Sequence, residues 1–225
     1  MAMDSRTGTN RKAEPVEGPV DDTDAWGTDV AAPKQRPLDL PNIAQTPGAS
    51  NPRQHDSQVN HLGNESPEML ICLHEEHAVA IAHGYAKVTG RAMAVALHSN
   101  VGLMHGTMAI FNAWADRAPM LILGATGPMD AQQRRPWIDW LHTMQDQAAL
   151  VRGFIKWDDQ PGSMHATPEA MLRGWKIANT APMGPVYINL DAGDQEAPVE
   201  TPLAFPDLAR FAPLAPAAPD PAALA

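Results

Sequence analysis

Short apolar runs alternate with longer amphipathic stretches through the middle of this chain, and no other feature limits its possible folds as much. The runs fall at Asn42–Thr46, Met69–Leu73, Met93–Leu97, Pro119–Ala125, Gly153–Trp157 and Pro185–Leu190. Gly, Pro, Asn and Asp flank them, as at strand ends. Several are apolar almost throughout, which suits strands covered on both faces. Between them the spacing predicts helices near 54–62, 76–89, 101–116, 144–152 and 167–179. In the second of these, Ala78, Ile81, Ala82, Tyr85 and Val88 trace one helical face, and Gly90 supplies a stop signal. This order predicts an α/β fold, a doubly wound, mainly parallel six-stranded sheet with helices on both faces. Its working site should lie at the carboxyl ends of the strands.

The remaining bulk properties narrow the partners. The chain has 225 residues, 44% of them hydrophobic, enough for one sizeable domain with tails. Its 16 Lys and Arg against 26 Asp and Glu give a net charge of −10, which argues against nucleic acid or an anionic membrane as partner. Cys72 is the one cysteine and has no internal partner for a disulfide. No apolar run approaches the roughly 18 residues of a membrane span, and the N-terminus lacks the apolar core of a secretory signal. A cytoplasmic location is expected. Residues 1–25 read as a disordered polar tail, 26–196 as one domain, and 197–225 as a Pro/Ala-rich linker. Pro33 and Pro37 would interrupt any regular helix ahead of the first strand, each costing about 3 kcal/mol in a helix interior.

Three strand ends carry residues beyond what a sheet needs. After the first comes Thr46-Pro47-Gly48-Ala49-Ser50, a turn in which backbone can closely approach a ligand or simply lead into a helix. After the second comes His74-Glu75-Glu76-His77. One glutamate there suits the positive end of a helix dipole; two inside an apolar sandwich ask for a further reason. The two histidines stand at i and i+3, unlike the i, i+4 pair of a zinc helix, so no metal site is expected. After the third, His98 and Ser99 precede Asn100-Val101-Gly102, which opens the next helix. Titratable groups on neighbouring strand ends are candidates for chemistry.

The segment Cys72-Leu-His-Glu-Glu-His-Ala-Val-Ala-Ile-Ala-His-Gly-Tyr-Ala-Lys-Val-Thr-Gly-Arg91 resembles the activating-glutamate segment of thiamine-diphosphate-dependent enzymes of the acetolactate synthase and benzoylformate decarboxylase group. In that family a strand-ending glutamate is followed nine residues later by Gly-Tyr-Ala and a basic residue. Glu75 stands nine before Gly84 in Gly84-Tyr85-Ala86-Lys87. The resemblance runs from about Trp26 to Glu196, the N-terminal pyrimidine-binding domain of such enzymes. It implies that Glu75 hydrogen-bonds the cofactor's aminopyrimidine and promotes its activation for attack on a 2-oxo acid. It further implies that Pro47 and Gly48 lie beside the cofactor, and that Ala49, Ser50, His98 and Ser99 lie on the substrate side. Leu97-His98-Ser99 resembles the benzoylformate decarboxylase version of its loop, in which a histidine handles protons around the substrate. The Pro136–Gln147 segment departs from both subfamilies, so the particular 2-oxo acid stays open.

Family members hold magnesium and the diphosphate through a Gly-Asp-Gly sequence in a second domain, usually on another subunit, and this sequence has no Gly-Asp-Gly. The expectation is therefore a fragment or one component of an oligomeric decarboxylase or carboligase, inactive alone. The alternatives are a non-catalytic module that pairs with a full-length relative, and a flavodoxin-like binder of another ligand. The helix following His98 carries Leu103, Met104, Met108, Ile110, Phe111 and Trp114, so it is either fully buried or part of an interface.

Overall fold

The computed structural model describes residues 38, 40–48, 55–198, 206–216, 218 and 222. The tail of residues 1–25, the Pro33–Pro37 segment, Ala49 and Ser50 lie outside these. Six strands form one all-parallel sheet: β1 (Asn42–Gln45), β2 (Glu68–Ile71), β3 (Met93–Ala96), β4 (Met120–Thr126), β5 (Asp158–Asp159) and β6 (Pro185–Asp191), in the order β2-β1-β3-β4-β6-β5. Among the described residues the helices are α1 (Glu75–Thr89), α2 (Ser99–Ala115), α3 (Ile138–Leu141), α4 (Thr167–Asn179) and α5 (Ala192–Glu196).

Alternation along the strands builds two cores. Ala44, Met93, Val95, Leu97, Met120, Ile122 and Tyr187 point to the layer formed by α1 and α2. Their neighbours Ile43, Ala94, Ala96, Leu121, Leu123, Val186 and Ile188 point to the opposite layer, which contains α4. Strands buried on both faces read as continuous apolar runs, and β3 and β4 are buried at every residue.

The chain runs from β1 outward to β2, then crosses back so that β3 lies on the other side of β1. That reversal is the topological switch point at which open α/β sheets bind ligands. The carboxyl ends of β1 and β3 are therefore adjacent, and the end of β2 flanks them.

Several expectations require correction. The predicted strand Gly153–Trp157 begins late: Arg152–Phe154 is a 3₁₀ turn, pairing with β6 starts as Lys156 N–H donates to the Pro185 carbonyl (2.8 Å), and the strand itself is Asp158–Asp159. The short apolar run Phe154-Ile155, followed by Trp157 and flanked by Gly153 and Asp158, is what reads as a strand in the sequence. The helix expected near 144–152 is instead a 3₁₀ turn, Gln147–Leu150, started by Asp146, whose Oδ1 accepts from Ala149 N–H. The segment near 54–62 closes with a π-type turn, Ser57–His61. The α1 face also differs. Ala78 and Ala82 are buried, but with Glu75, Val79 and Ala86; Ile81 is 43% exposed and Val88 87% exposed. The small alanines form the packing face because α2 lies close against it.

Gly90 ends α1 in the left-handed conformation (φ 71°), as its stop signal required. Beyond β6, α5 is capped by Asp191, whose Oδ1 accepts from Gly193 N–H at 2.7 Å. In the Pro/Ala-rich segment, Leu208–Phe211 forms a turn beside α4; Lys176 Nζ donates to the Arg210 carbonyl, and Phe211 packs on the second core.

Candidate active site

Three strand ends converge at the switch point. Glu75 is the first residue of α1, and its side chain continues the buried stripe of Ala78, Val79, Ala82 and Ala86, so the helix that packs on the sheet also carries the carboxylate inward. His74 caps α1 by accepting from Glu76 N–H through Nδ1 (3.2 Å). Glu76 faces solvent, whereas Glu75 is 7% exposed. The two adjacent glutamates therefore divide the roles: Glu76 suits the helix dipole, and Glu75 is spent inside. Among the described residues no lysine, arginine or histidine forms an ion pair with Glu75. A buried carboxylate without a counter-charge is costly, and such a group is a candidate for ligand chemistry.

Glu75 faces α2 at Gly102, where a β-carbon would stand 3.0 Å from Oε1. At the start of the same helix His98 occupies the N-cap position, and Ser99, fully buried, has a positive φ of 50°. A left-handed non-glycine residue is strained and marks a turn held by its surroundings. On the β1 side, Gly48 lies directly against the His98 ring; a β-carbon there would overlap imidazole Cγ and Nδ1. Pro47 is exposed and continues the same turn. The structure thus brings Gly48, Glu75, His98 and Ser99 into one region. Ala49 and Ser50 lie outside the described residues.

A further histidine enters that the sequence reading passed over. His98 Nε2 lies 3.1 Å from Nε2 of His142, which follows α3. His142 Nδ1 sits 2.7 Å from the Ile138 carbonyl, so that nitrogen carries a proton. The backbone of His142 is pinned too. Its carbonyl accepts from Gly127 N–H (2.8 Å) at the end of β4 and lies 3.3 Å from the Ser99 hydroxyl. Gly127 permits this docking, because a β-carbon there would overlap Thr143. The turn is braced by Asp139, 2% exposed, which accepts from Arg135 N–H (2.7 Å) and from its guanidinium (3.2 Å). Burial pushes the Asp139 carboxyl up, but the hydrogen bonds and charge of Arg135 outweigh it and hold the group below the ordinary carboxylate value. His98 titrates below its usual value, first because it is buried, then because His142 repels a second charge, against the opposing pull of Glu75.

The surrounding polar groups are consistent with an occupant. Both amide atoms of Gln45 and the hydroxyls of Thr46 and Thr126, all at the ends of β1 and β4, are buried without a partner among the described residues. Buried polar groups ordinarily find partners. A shallow cleft of about 420 Å³ beside His142 is lined by Met129, Arg134, Trp140, Thr143 and Gln145. A larger hollow of about 570 Å³, between Trp114, Arg117, Lys156 and Met183, lies at the opposite, amino ends of the strands. Among the described residues no three His, Cys, Asp or Glu side chains cluster to hold a metal, and no helix is long and apolar enough to cross a membrane.

A parallel sheet with a buried, uncompensated carboxylate and an imidazole pair at its switch point defines a cofactor-binding α/β domain. Comparison with known proteins specifies which. Residues 50–150 match the family described as thiamine pyrophosphate enzyme, N-terminal TPP binding domain. The chain is similar to benzoylformate decarboxylase of Pseudomonas aeruginosa, 30% identical over 131 residues, 57% of this chain and 24% of that protein. It is similar to acetolactate synthase of Bacillus subtilis, 23% identical over 134 residues, 60% of this chain and 23% of that protein. In fold it resembles the thiamine diphosphate-dependent 4-hydroxybenzoylformate decarboxylase of Rhodococcus jostii, with a TM-score of 0.69, 21% identity and coverage of 86% of this chain and 34% of that one. Residues 50–150 thus carry a likeness to the N-terminal TPP-binding domain of the thiamine pyrophosphate enzymes, and the chain spans about a quarter of the length of these curated relatives.

Proposed function

We propose that this chain is the pyrimidine-binding component of a thiamine-diphosphate-dependent 2-oxo acid decarboxylase or carboligase. The observation that carries the reading is Glu75: a buried carboxylate with no counter-charge among the described residues, at the switch point of the sheet, in the segment similar to TPP-binding domains. The residues present fit the cofactor's pyrimidine. Glu75 offers a hydrogen-bond acceptor in a dry environment, Gly48 leaves the β1 turn without a side chain, and Gln45 and Thr126, at the carboxyl ends of β1 and β4, hold buried polar atoms without a partner among the described residues. When bound, thiamine diphosphate supplies the carbanion chemistry that an unaided protein lacks. Glu75 holds the proton shared with the aminopyrimidine, Pro47 and Gly48 shape the wall beside it, and His98 manages protons on the substrate side with Ser99. We also assign Ala49 and Ser50 to the substrate side.

In this reading, magnesium and the diphosphate are held by a second domain or subunit, and the site forms only in an oligomer with it. The chain by itself binds cofactor weakly and turns over nothing. Assembling the chain with a diphosphate-binding partner and comparing Glu75→Gln with the unmodified protein tests the reading. Turnover should fall about 10²-fold or more with assembly intact, and unchanged turnover would remove Glu75 from catalysis.

A second reading, a non-catalytic module that pairs with a full-length relative, draws on the α1–α2 surface. There Ile81, Val88, Met104, Met108 and Phe111 are all exposed, more apolar area than a lone domain needs. Assembly that persists while Glu75→Gln leaves turnover untouched would favour it.

A further inference from the structure

The imidazole pair goes beyond the role given to His98, and its argument rests on the reading of the site above. His142 Nδ1 faces a carbonyl oxygen at 2.7 Å, which only accepts, so this nitrogen donates. In the neutral ring the remaining nitrogen, Nε2, is then an acceptor. Its neighbour at 3.1 Å is His98 Nε2, which must supply the hydrogen. The Ile138 carbonyl thereby orders the protons on the facing nitrogens of two rings in series. Two protonated Nε2 atoms cannot face each other at this distance, so the pair accepts one additional proton and refuses a second.

The surroundings keep this geometry. The Gly127 amide and the Ser99 hydroxyl approach the His142 carbonyl, Thr143 Oγ1 donates to the Asp139 carbonyl at 2.6 Å, and Asp139 is clamped by Arg135. The charged groups facing the pair are Glu75 from α1, beside His98, and Asp139 from α3, beside His142. A positive charge shared between the rings therefore meets a carboxylate at either end. Moving the proton from one Nε2 to the other changes no bond order outside the rings and needs no co-reactant.

We propose that His142 is a positioning residue for His98: it fixes His98 as the Nε2–H tautomer and joins it in a two-imidazole unit that carries at most one extra proton at the substrate side of the site. His142 acts through His98 and need not touch substrate.

Histidine-selective ¹⁵N NMR of the 225-residue chain between pH 5 and 8 tests this without cofactor. His98 should appear as the Nε2–H tautomer and His142 as the Nδ1–H tautomer. Two variants separate positioning from packing. His142→Gln keeps a neutral hydrogen-bonding group near the Nε2 position, so His98 should keep its tautomer while its midpoint moves upward as the repulsion disappears. His142→Phe removes the acceptor, and the Nε2–H form of His98 should lose population. A wild-type His98 in the Nδ1–H form would overturn the proposal, as would a tautomer and midpoint unchanged in both variants. If His142→Phe fails to fold, the midpoint in His142→Gln decides alone. The readout involves no turnover, so failure of the Glu75 experiment would overturn the cofactor reading and not the pairing. Failure here would leave the role of Glu75 standing.

Discussion

Gly48 and His98 fit together as a backbone against a ring: a β-carbon on Gly48 would overlap imidazole Cγ and Nδ1. The first and third strand ends meet at this contact, so the Thr46–Gly48 turn and the His98 loop are one wall of the site.

Gly48→Ala should therefore displace either the turn or the imidazole. Overpacking of this kind costs about 1–3 kcal/mol. Urea denaturation should show that loss, and the ¹⁵N signals of His98 should shift with it. A variant as stable as the parent, with His98 unmoved, would mean that the turn relaxes freely and exerts no hold on the ring.

His98 should also give the protein a pH-dependent stability. Its pKa in the fold lies below the ordinary 6.5, chiefly through burial. In the window between the two values the unfolded chain binds more protons than the folded one, so stability rises with pH there and is lost as pH falls below about 6.5. Denaturation curves measured from pH 5 to 7.5 should show this slope, and His98→Asn should flatten it. An equal slope in the variant would assign the effect to another group.

Asp139, through Arg135, adds a second loss of stability on acidification, at lower pH. Its carboxyl is held below the ordinary 3.8 despite burial, so the stability it contributes is present above that value and disappears as pH falls through the lower, folded value. Asp139→Asn removes the charge and part of the clamp on Arg135, which is half exposed, so the cost should be modest, about 1–2 kcal/mol near neutral pH. Because Asp139 braces the turn that carries His142, the substitution should also perturb the His98–His142 signals. Unchanged histidine spectra would show that the turn holds without its clamp.

How much of this was legible in the sequence follows from the range of each interaction. The sheet, α1, α2 and α4 announce themselves through local periodicity, and Glu75 could be singled out because it stands nine residues before Gly84-Tyr85-Ala86-Lys87, the spacing of the family it resembles. His142 gives no such signal. Its partner lies 44 residues away, and it sits after a one-turn helix entered through Trp137 with φ of 58°, a segment with neither a helical nor a strand period. The unusual Pro136–Gln147 segment could be recognised as different, but what it places beside His98 depends on Gly127 and the end of β4. The late start of β5 has a similar origin: a short apolar run was present from Gly153, while the ladder with β6 was set by neighbours distant in sequence.

Gln147 lies in that same segment and supports it from below. Its side-chain amide donates to the Ala125 carbonyl (3.1 Å) and lies 2.7 Å from the Tyr187 hydroxyl and 3.3 Å from Asn189 Oδ1. All three partners are at or near the carboxyl ends of β4 and β6, and Gln147 itself is 1% exposed. Gln147→Ala would open a cavity and strand these acceptors, a loss of about 2–3 kcal/mol. Gln147→Met, similar in volume but unable to donate, should recover the packing share and none of the hydrogen-bond share. Equilibrium unfolding of the two variants separates the contributions. If both are as stable as the parent, the buried network does not hold the segment, and the position of His142 must rest on Asp139 and Gly127 alone.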